Sequence, residues 1–324
     1  MSAPALFPRH IAVLTLALLA CAFAGNHIAA RIAFDHDTGL LLAILCRSGV
    51  TLLVLISLVV WQGEKLQLSA RTWRWQILLG LLIATQSFCI YSAVARIPVA
   101  LALLVVNVAP ILLALLTWAL GGAAPTRRAA LLMGLILFGL VFALDVPHRL
   151  SNPGSSEPQW LEGIVYGFTA AVVFAFALWI TDNKLASMRG TVRSMLTMVV
   201  VFSAATLAGI SGVLPGGVDL PSSTTGWTAL ASLVLLYGLG FSLLFICMTR
   251  LDMPRNAPVM NIEPVASLLF GWLILDQLLS SSQVIGGLIV VSGIVLLTMR
   301  RNPPAPSTPR PQKSPPDACK RSDP

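Results

Sequence analysis

The chain has 324 residues, of which 56% are hydrophobic and only 10% charged, and its mean hydropathy is +0.85. A soluble domain usually carries about 25% charged residues, so a water-soluble globule is excluded. The formal net charge of +8 does not indicate a nucleic-acid partner, because its cations sort by membrane side.

About 20 apolar residues in helical form cross a bilayer core about 30 Å thick. Taken in chain order, the apolar runs predict spans at 11–30, 40–61, 75–95, 97–120, 129–144, 161–181, 194–214, 227–249, 256–276 and 283–299. The first follows Arg9 and contains Leu18-Leu19-Ala20-Cys21, a pattern shared with cleaved leaders. It continues to Ala30, and its removal would spoil the repeat described below, so it is read as a retained span. The third and fourth are separated only by the Ala95-Arg96-Ile97-Pro98 corner. The polar stretch from Asp145 to Gln159 divides five spans from five. Beyond Pro303 the chain is rich in Pro, Ser and basic residues, a composition expected to stay disordered. The expected organisation is a five-helix repeat over 1–147, a periplasmic connection over 148–160, a second five-helix repeat over 161–301 and a basic cytoplasmic tail over 302–324.

If the spans alternate, seventeen Lys and Arg residues fall on one side and three (Arg31, Arg96, Arg149) on the other, with Arg47 inside a span. Cation-rich connections stay in the cytoplasm, so both termini are expected there, in a bacterial inner membrane. Four of the five cysteines lie inside spans and none has metal-site spacing, so neither a disulfide framework nor a metal centre is expected. No nucleotide-binding loop, zinc motif or nucleophile elbow occurs. An enzyme is therefore not expected, nor is any cofactor.

The halves align without gaps at a spacing of 154. Arg96 meets Arg250, Asn107 meets Asn261, Pro110 meets Pro264, Trp118 meets Trp272, Gly139 meets Gly293, and Tyr91 meets Phe245. Leu or Val matches would mean little in such a composition; Arg, Asn, Pro and Trp in one register carry weight. Five spans per repeat is an odd number, so the second copy is inverted in the membrane. Inverted repeats are characteristic of secondary transporters that bind substrate near the midplane.

Polar residues inside spans are the functional candidates. Glu263, in the stretch VMNIEPVASLLFGW (259–272), lies roughly 12 Å into its span at 1.5 Å per residue. Pro264 follows it, lacks an N–H and is expected to kink the helix and free the Met260 carbonyl; Pro110 is its counterpart. Such a bend survives in lipid where protein, water or ligand satisfies the freed group, so this helix is expected to face a polar cavity. Glu263 either exchanges a proton for substrate, holds a substrate ammonium, or is a structural carboxylate. Asn107 and Asn261 either contact substrate or tie helices together. Asn26 is a cavity candidate or a helix–helix hydrogen bonder. His27 either titrates or is simply hydrated near the interface. Arg47 binds a substrate carboxylate, reaches the interface, or pairs with Asp35 or Asp37. Gln86, Ser87, Tyr91, Trp179 and Tyr237 are further cavity candidates, whereas Gly163 and Gly167 read as close helix packing.

The segments MTRLDMPRNAPVMNIEPVASLLFGWLILDQ (248–277) and QVIGGLIVVSGIVLL (283–297), with YSAVARIPVALALLVVNVAPILLALLTWAL (91–120) in the first half, resemble the ten-span EamA-type members of the drug/metabolite transporter superfamily. CAFAGNHIAA (21–30) looks like that family's first span, and Arg47 matches a common Arg near the start of its second. The likeness is strongest in 248–297, which is similar to amino-acid exporters, including threonine/homoserine exporters. The sequence departs from the pattern at Ala24, where the family often has Trp, and at Asp276 and Gly121-Gly122, where an acid often follows Gly. The resemblance implies an all-α protein of ten transmembrane helices in two inverted repeats. It implies export of a small molecule, an amino acid or derivative, by alternating access, with protons as an expected coupling ion. A drug exporter or flippase of the same fold is the alternative within the class; a membrane-embedded enzyme or scaffold is the alternative outside it.

Overall fold

The computed structural model describes residues 6–63, 70–146, 158–212, 217–247, 250–251 and 256–298. The expected disordered tail, and all of the expected connecting loop except 158–160, lie outside them. No strand occurs among the described residues. The helices are α1 (Arg9–Phe34), α2 (Leu40–Trp61), α3 (Ala70–Arg96), α4 (Val99–Val106), α5 (Ala109–Ala119), α6 (Arg127–Ala143), α7 (Pro158–Asn183), α8 (Gly190–Ser211) and α9 (Thr224–Cys247). A 3₁₀ turn (Ala257–Asn261), α10 (Ile262–Leu275) and α11 (Ser281–Thr298) complete the chain. Seven of the described helical segments, with α4 and α5 counted as one, are long and apolar enough to cross a membrane. The shorter α6, the 3₁₀–α10 unit and α11 bring the spans to ten.

The helices overrun the predicted apolar stretches where polar ends find partners. α1 continues from Ala30 to Phe34 because the Arg31 Nε donates to Asp35 at 3.0 Å, one turn on, and its Nη1 donates to the Val94 carbonyl at 3.0 Å. α7 begins at Pro158, inside the predicted connection; proline is well suited to a first helical turn, whose N–H groups have no intrahelical acceptor.

At Pro110 and Pro264, where kinks are expected, the α-helix is interrupted for a short stretch whose backbone stays near helical angles. α4 stops at Val106, Asn107 caps it with Nδ2 donating to the Leu103 carbonyl at 2.8 Å, and α5 starts afresh at Ala109. In the second repeat the 3₁₀ turn ends at Asn261 and α10 starts at Ile262. Each proline therefore sits in the opening turn of a new helix, where its missing N–H costs nothing.

Packing follows the exchange of one repeat for the other. α3 on α7 is mirrored by α1 on α9, and α3 on α8 by α2 on α9. α4 and α5 on α7 are mirrored by α10 on α1, while α2–α8 and α6–α11 are each their own image. The α6–α11 pair is especially close: a Cβ on Gly286 would lie 2.2 Å from the Ala143 nitrogen, and one on Gly293 2.5 Å from Ile136 Cγ1. The protein is thus an all-α bundle of ten spans in two inverted five-helix repeats.

The two ends of the bundle differ. At the end where α1 meets α2, the Gly39 N–H donates to the Asp219 carbonyl at 2.9 Å and the Ser222 N–H to the His36 carbonyl at 3.2 Å. These bonds clasp the α1–α2 turn to the α8–α9 connection. Gly39 has no room for a side chain, since a Cβ would lie 2.2 Å from the Gly217 carbonyl oxygen. Toward the other end, where α1 begins, a cavity reaches into the bundle.

Candidate functional site

The cavity encloses about 450 Å³. Its walls come from α1, α2 and α3 of the first repeat and from α7 to α10 and the 3₁₀ turn of the second, so it lies at the repeat interface. Its mouth end is marked by Thr181 near the end of α7 and by Arg193 and Ser194 in the first turn of α8. Much of its wall is apolar, with Phe23 of α1 packed edge-on to Tyr237 and Phe241 of α9. Chemistry is concentrated deeper, where Asn26, His27, Arg47, Gln86 and Glu263 line one space.

Arg47 is 5% exposed. Its Nη2 donates to Ser87 Oγ at 2.7 Å and its Nη1 to Tyr91 Oη at 3.1 Å. Ser87 and Tyr91 stand one turn apart on α3, which puts both on the face toward α2. The guanidinium carbon is 4.7 Å from the Tyr91 ring centre and 4.2 Å from that of Tyr237, so two aromatic faces stabilise the cation electrostatically. Every one of these partners is neutral. Among the described residues, the Arg–carboxylate ion pairs are Arg31–Asp35 and Arg96–Glu162, while His27 Nε2 lies 3.8 Å from Glu263. Arg47 thus reaches neither the interface nor Asp35 or Asp37, the two alternatives open from the sequence.

Tyr91 is fully buried and connects two elements of the site. Its hydroxyl accepts from Arg47 and donates to Asn26 Oδ1 at 3.3 Å. It does not line the cavity itself but stands behind two residues that do.

Glu263 occupies the first turn of α10, where the positive end of the helix dipole favours a carboxylate. Its side chain keeps 27% of its exposure, on the cavity wall, and its Oε1 is 3.8 Å from His27 Nε2. His27 is buried rather than hydrated at an interface, at 8% exposure. Asn107 and Asn261 are not among the cavity-lining residues: both sit at the helix breaks, and Asn107 is spent on its own cap. Trp179 also stays outside, its ring 5.3 Å from Lys184 Nζ. Gly163 abuts Ile97, and Gly167 abuts Val105, in close packing of α7.

Sequence reasoning missed Arg193, counted there only as a topological cation, and Thr181, Ser194 and Thr197, which share the wall with it. A polar cluster at i, i+1 and i+4 over Arg193, Ser194 and Thr197 at the start of an apolar helix was the available signal. No group of His, Cys, Asp and Glu residues able to hold a metal occurs among the described residues.

Residues 10–144 and 161–299 match the EamA-like transporter family. The chain belongs to the EamA-like transporter family. The two matched stretches are the two five-span halves, so this EamA-like protein contains the family's domain twice. A crystal structure of a protein aligns with 91% of this chain and 100% of its own at 20% identity and a TM-score of 0.58, a likeness of fold alone. No curated protein matches the chain. The family is one of transporters, and this member is a multi-pass membrane protein.

Proposed function

We propose that this EamA-like protein exports a small polar metabolite, an amino acid or derivative, by alternating access. The observation that carries this reading is one cavity, between the two repeats, in which a buried guanidinium with only neutral partners shares a wall with the carboxylate of Glu263. A cation and an acid in one apolar-walled space suit a solute that carries both charges. The seventeen-to-three distribution of cations supports an orientation with the cavity mouth and both termini in the cytoplasm of a bacterial inner membrane. The cavity is then open inward and closed outward at the Gly39–Asp219 clasp. Glu263 releases a proton or a substrate ammonium when the mouth changes sides, which makes protons the coupling ion of choice.

The test compares amino acids inside and outside cells that lack or overproduce the protein, then measures efflux from proteoliposomes with and without a pH gradient. Overproduction should raise the extracellular pool of at least one amino acid or derivative. Unchanged pools and no reconstituted flux would overturn the reading. Reporter fusions after Ser151 and Asp219 should read periplasmic and one after Arg301 cytoplasmic; a periplasmic tail would reverse the direction of export.

A further inference from the structure

Three buried nitrogens of cavity-lining residues have no hydrogen-bond partner among the described residues, Arg47 Nε, Asn26 Nδ2 and His27 Nδ1; the first two are always N–H donors. Those two donors belong to residues at least nine-tenths buried, at 5% and 1% exposure, and both residues line the same cavity. A buried donor without an acceptor costs on the order of 1–3 kcal/mol, and more when charged, so such groups call for an explanation.

The hydrogen-bond pattern supplies one. The Tyr91 hydroxyl has a single proton. It accepts from Arg47, so that proton goes to Asn26 Oδ1. An amide with its oxygen engaged in this way turns its NH₂ group elsewhere. Ser87 and Tyr91 each take one N–H of a terminal nitrogen of Arg47, leaving one further N–H on each and an Nε with no partner at all. What remains for a ligand is a set of donors on two residues joined through the Tyr91 hydroxyl, one of them on a full positive charge, whose Nε and Nδ2 have no acceptor among the described residues.

We infer that Arg47 and Asn26 form an oxyanion subsite that takes the carboxylate of the transported solute, with Tyr91 as the positioning residue that aims both. This rests on the transport reading and sharpens it: a carboxylate is required of the solute, and an ammonium is secondary. Glu263 forms the other pole, with His27 between the two: its Nε2 is 3.8 Å from Glu263 and its ring packs edge-on to Tyr91. A carboxylate suits the subsite because its two oxygens can accept from an N–H of the guanidinium and from the amide together.

Three probes with one apolar side chain separate the possibilities: L-leucine, 4-methylpentanoate, which lacks the ammonium, and isoamylamine, which lacks the carboxylate. Binding to the purified full-length protein is read by tryptophan fluorescence or thermal stability. Leucine and 4-methylpentanoate should bind and isoamylamine should not. Asn26→Asp, which replaces a donor by a like charge, should weaken both carboxylates by about tenfold or more. Arg47→Lys, which keeps the charge and removes Nε, should weaken them similarly. Tyr91→Phe should raise KM for leucine efflux with kcat little changed, a split that general loosening of the bundle would not produce. Binding of isoamylamine alone, binding of none of the three, or unaltered carboxylate affinity in a folded Asn26→Asp protein overturns the subsite. Carboxylates that bind without any reconstituted flux would leave the subsite standing and remove the transport reading instead.

Discussion

The breaks at Asn107–Pro110 and Asn261–Pro264 occupy equal positions in the two repeats and solve the same backbone problem. Their surroundings differ. Ala109, one residue before its proline, is packed to 1% exposure; its counterpart Glu263 faces a cavity. The symmetric elements of this protein are therefore scaffold, namely breaks, close glycines and lipid-facing tryptophans. The cavity acid sits where the symmetry fails: Glu263 has no acidic counterpart in the other repeat, where Ala109 stands. A transporter whose halves must exchange roles between inward and outward states keeps its symmetry for the motion and its asymmetry for the ligand.

That comparison can be attacked at its strongest point by moving the acid. Ala109→Glu in a Glu263→Ala background restores the charge count but places the acid in packing rather than in a cavity. We expect no recovery of efflux and a loss of stability of about 3 kcal/mol, the order found for a charge at the centre of a span, measured by thermal unfolding in detergent. Recovered efflux would mean that the two breaks are equivalent. Next in size, Glu263→Gln should fold yet lose about tenfold or more of its efflux, or the pH dependence of that efflux, since an amide neither exchanges a proton nor holds an ammonium as a carboxylate does. Glu263→Asp should retain part of the activity, because the carboxylate stays and only its reach shortens. Wild-type efflux with an unchanged pH profile in the Gln variant would return Glu263 to a structural role.

Two milder substitutions sharpen the scaffold side. Gly286→Ala should cost about 2 kcal/mol and Gly293→Ala about 1 kcal/mol, both within the usual range for overpacking. The order follows from what each new methyl meets: the Ala143 backbone nitrogen in one case, a movable Ile136 side chain in the other. Equal costs would show that α6 and α11 slide to accommodate either. The smallest effects belong to Trp118→Ala and Trp272→Ala. These are 54% and 55% exposed, so each should change stability by no more than about 0.5 kcal/mol, and by the same amount. A large difference between them would expose an asymmetry in how the halves meet lipid.

Much of the architecture could be read from the sequence because in a bilayer each span must satisfy its own backbone, which makes span length and loop charge local signals. The Asn-x-x-Pro register located both interruptions of the helix. The site was harder. Arg47 is clamped by Ser87 and Tyr91, 40 and 44 positions away, and His27 meets an acid in the opposite repeat. No periodicity encodes those encounters. Asn107, polar and deep, was open from sequence to a substrate contact or a tie between helices; its amide donates to the Leu103 carbonyl of its own helix, because a side-chain amide satisfies a nearby carbonyl as readily as it does a solute.

The clasp between the α1–α2 turn and the α8–α9 connection is made chiefly by main-chain groups: Gly39 to Asp219, and Ser222 to His36. Under alternating access, opening the far side means parting those strands of backbone. Their grip is nearly independent of which side chains the loops display, so the loops can diversify during evolution while the release step keeps its pace. The exception is Gly39, where any larger residue would meet the Gly217 carbonyl and hold the door ajar.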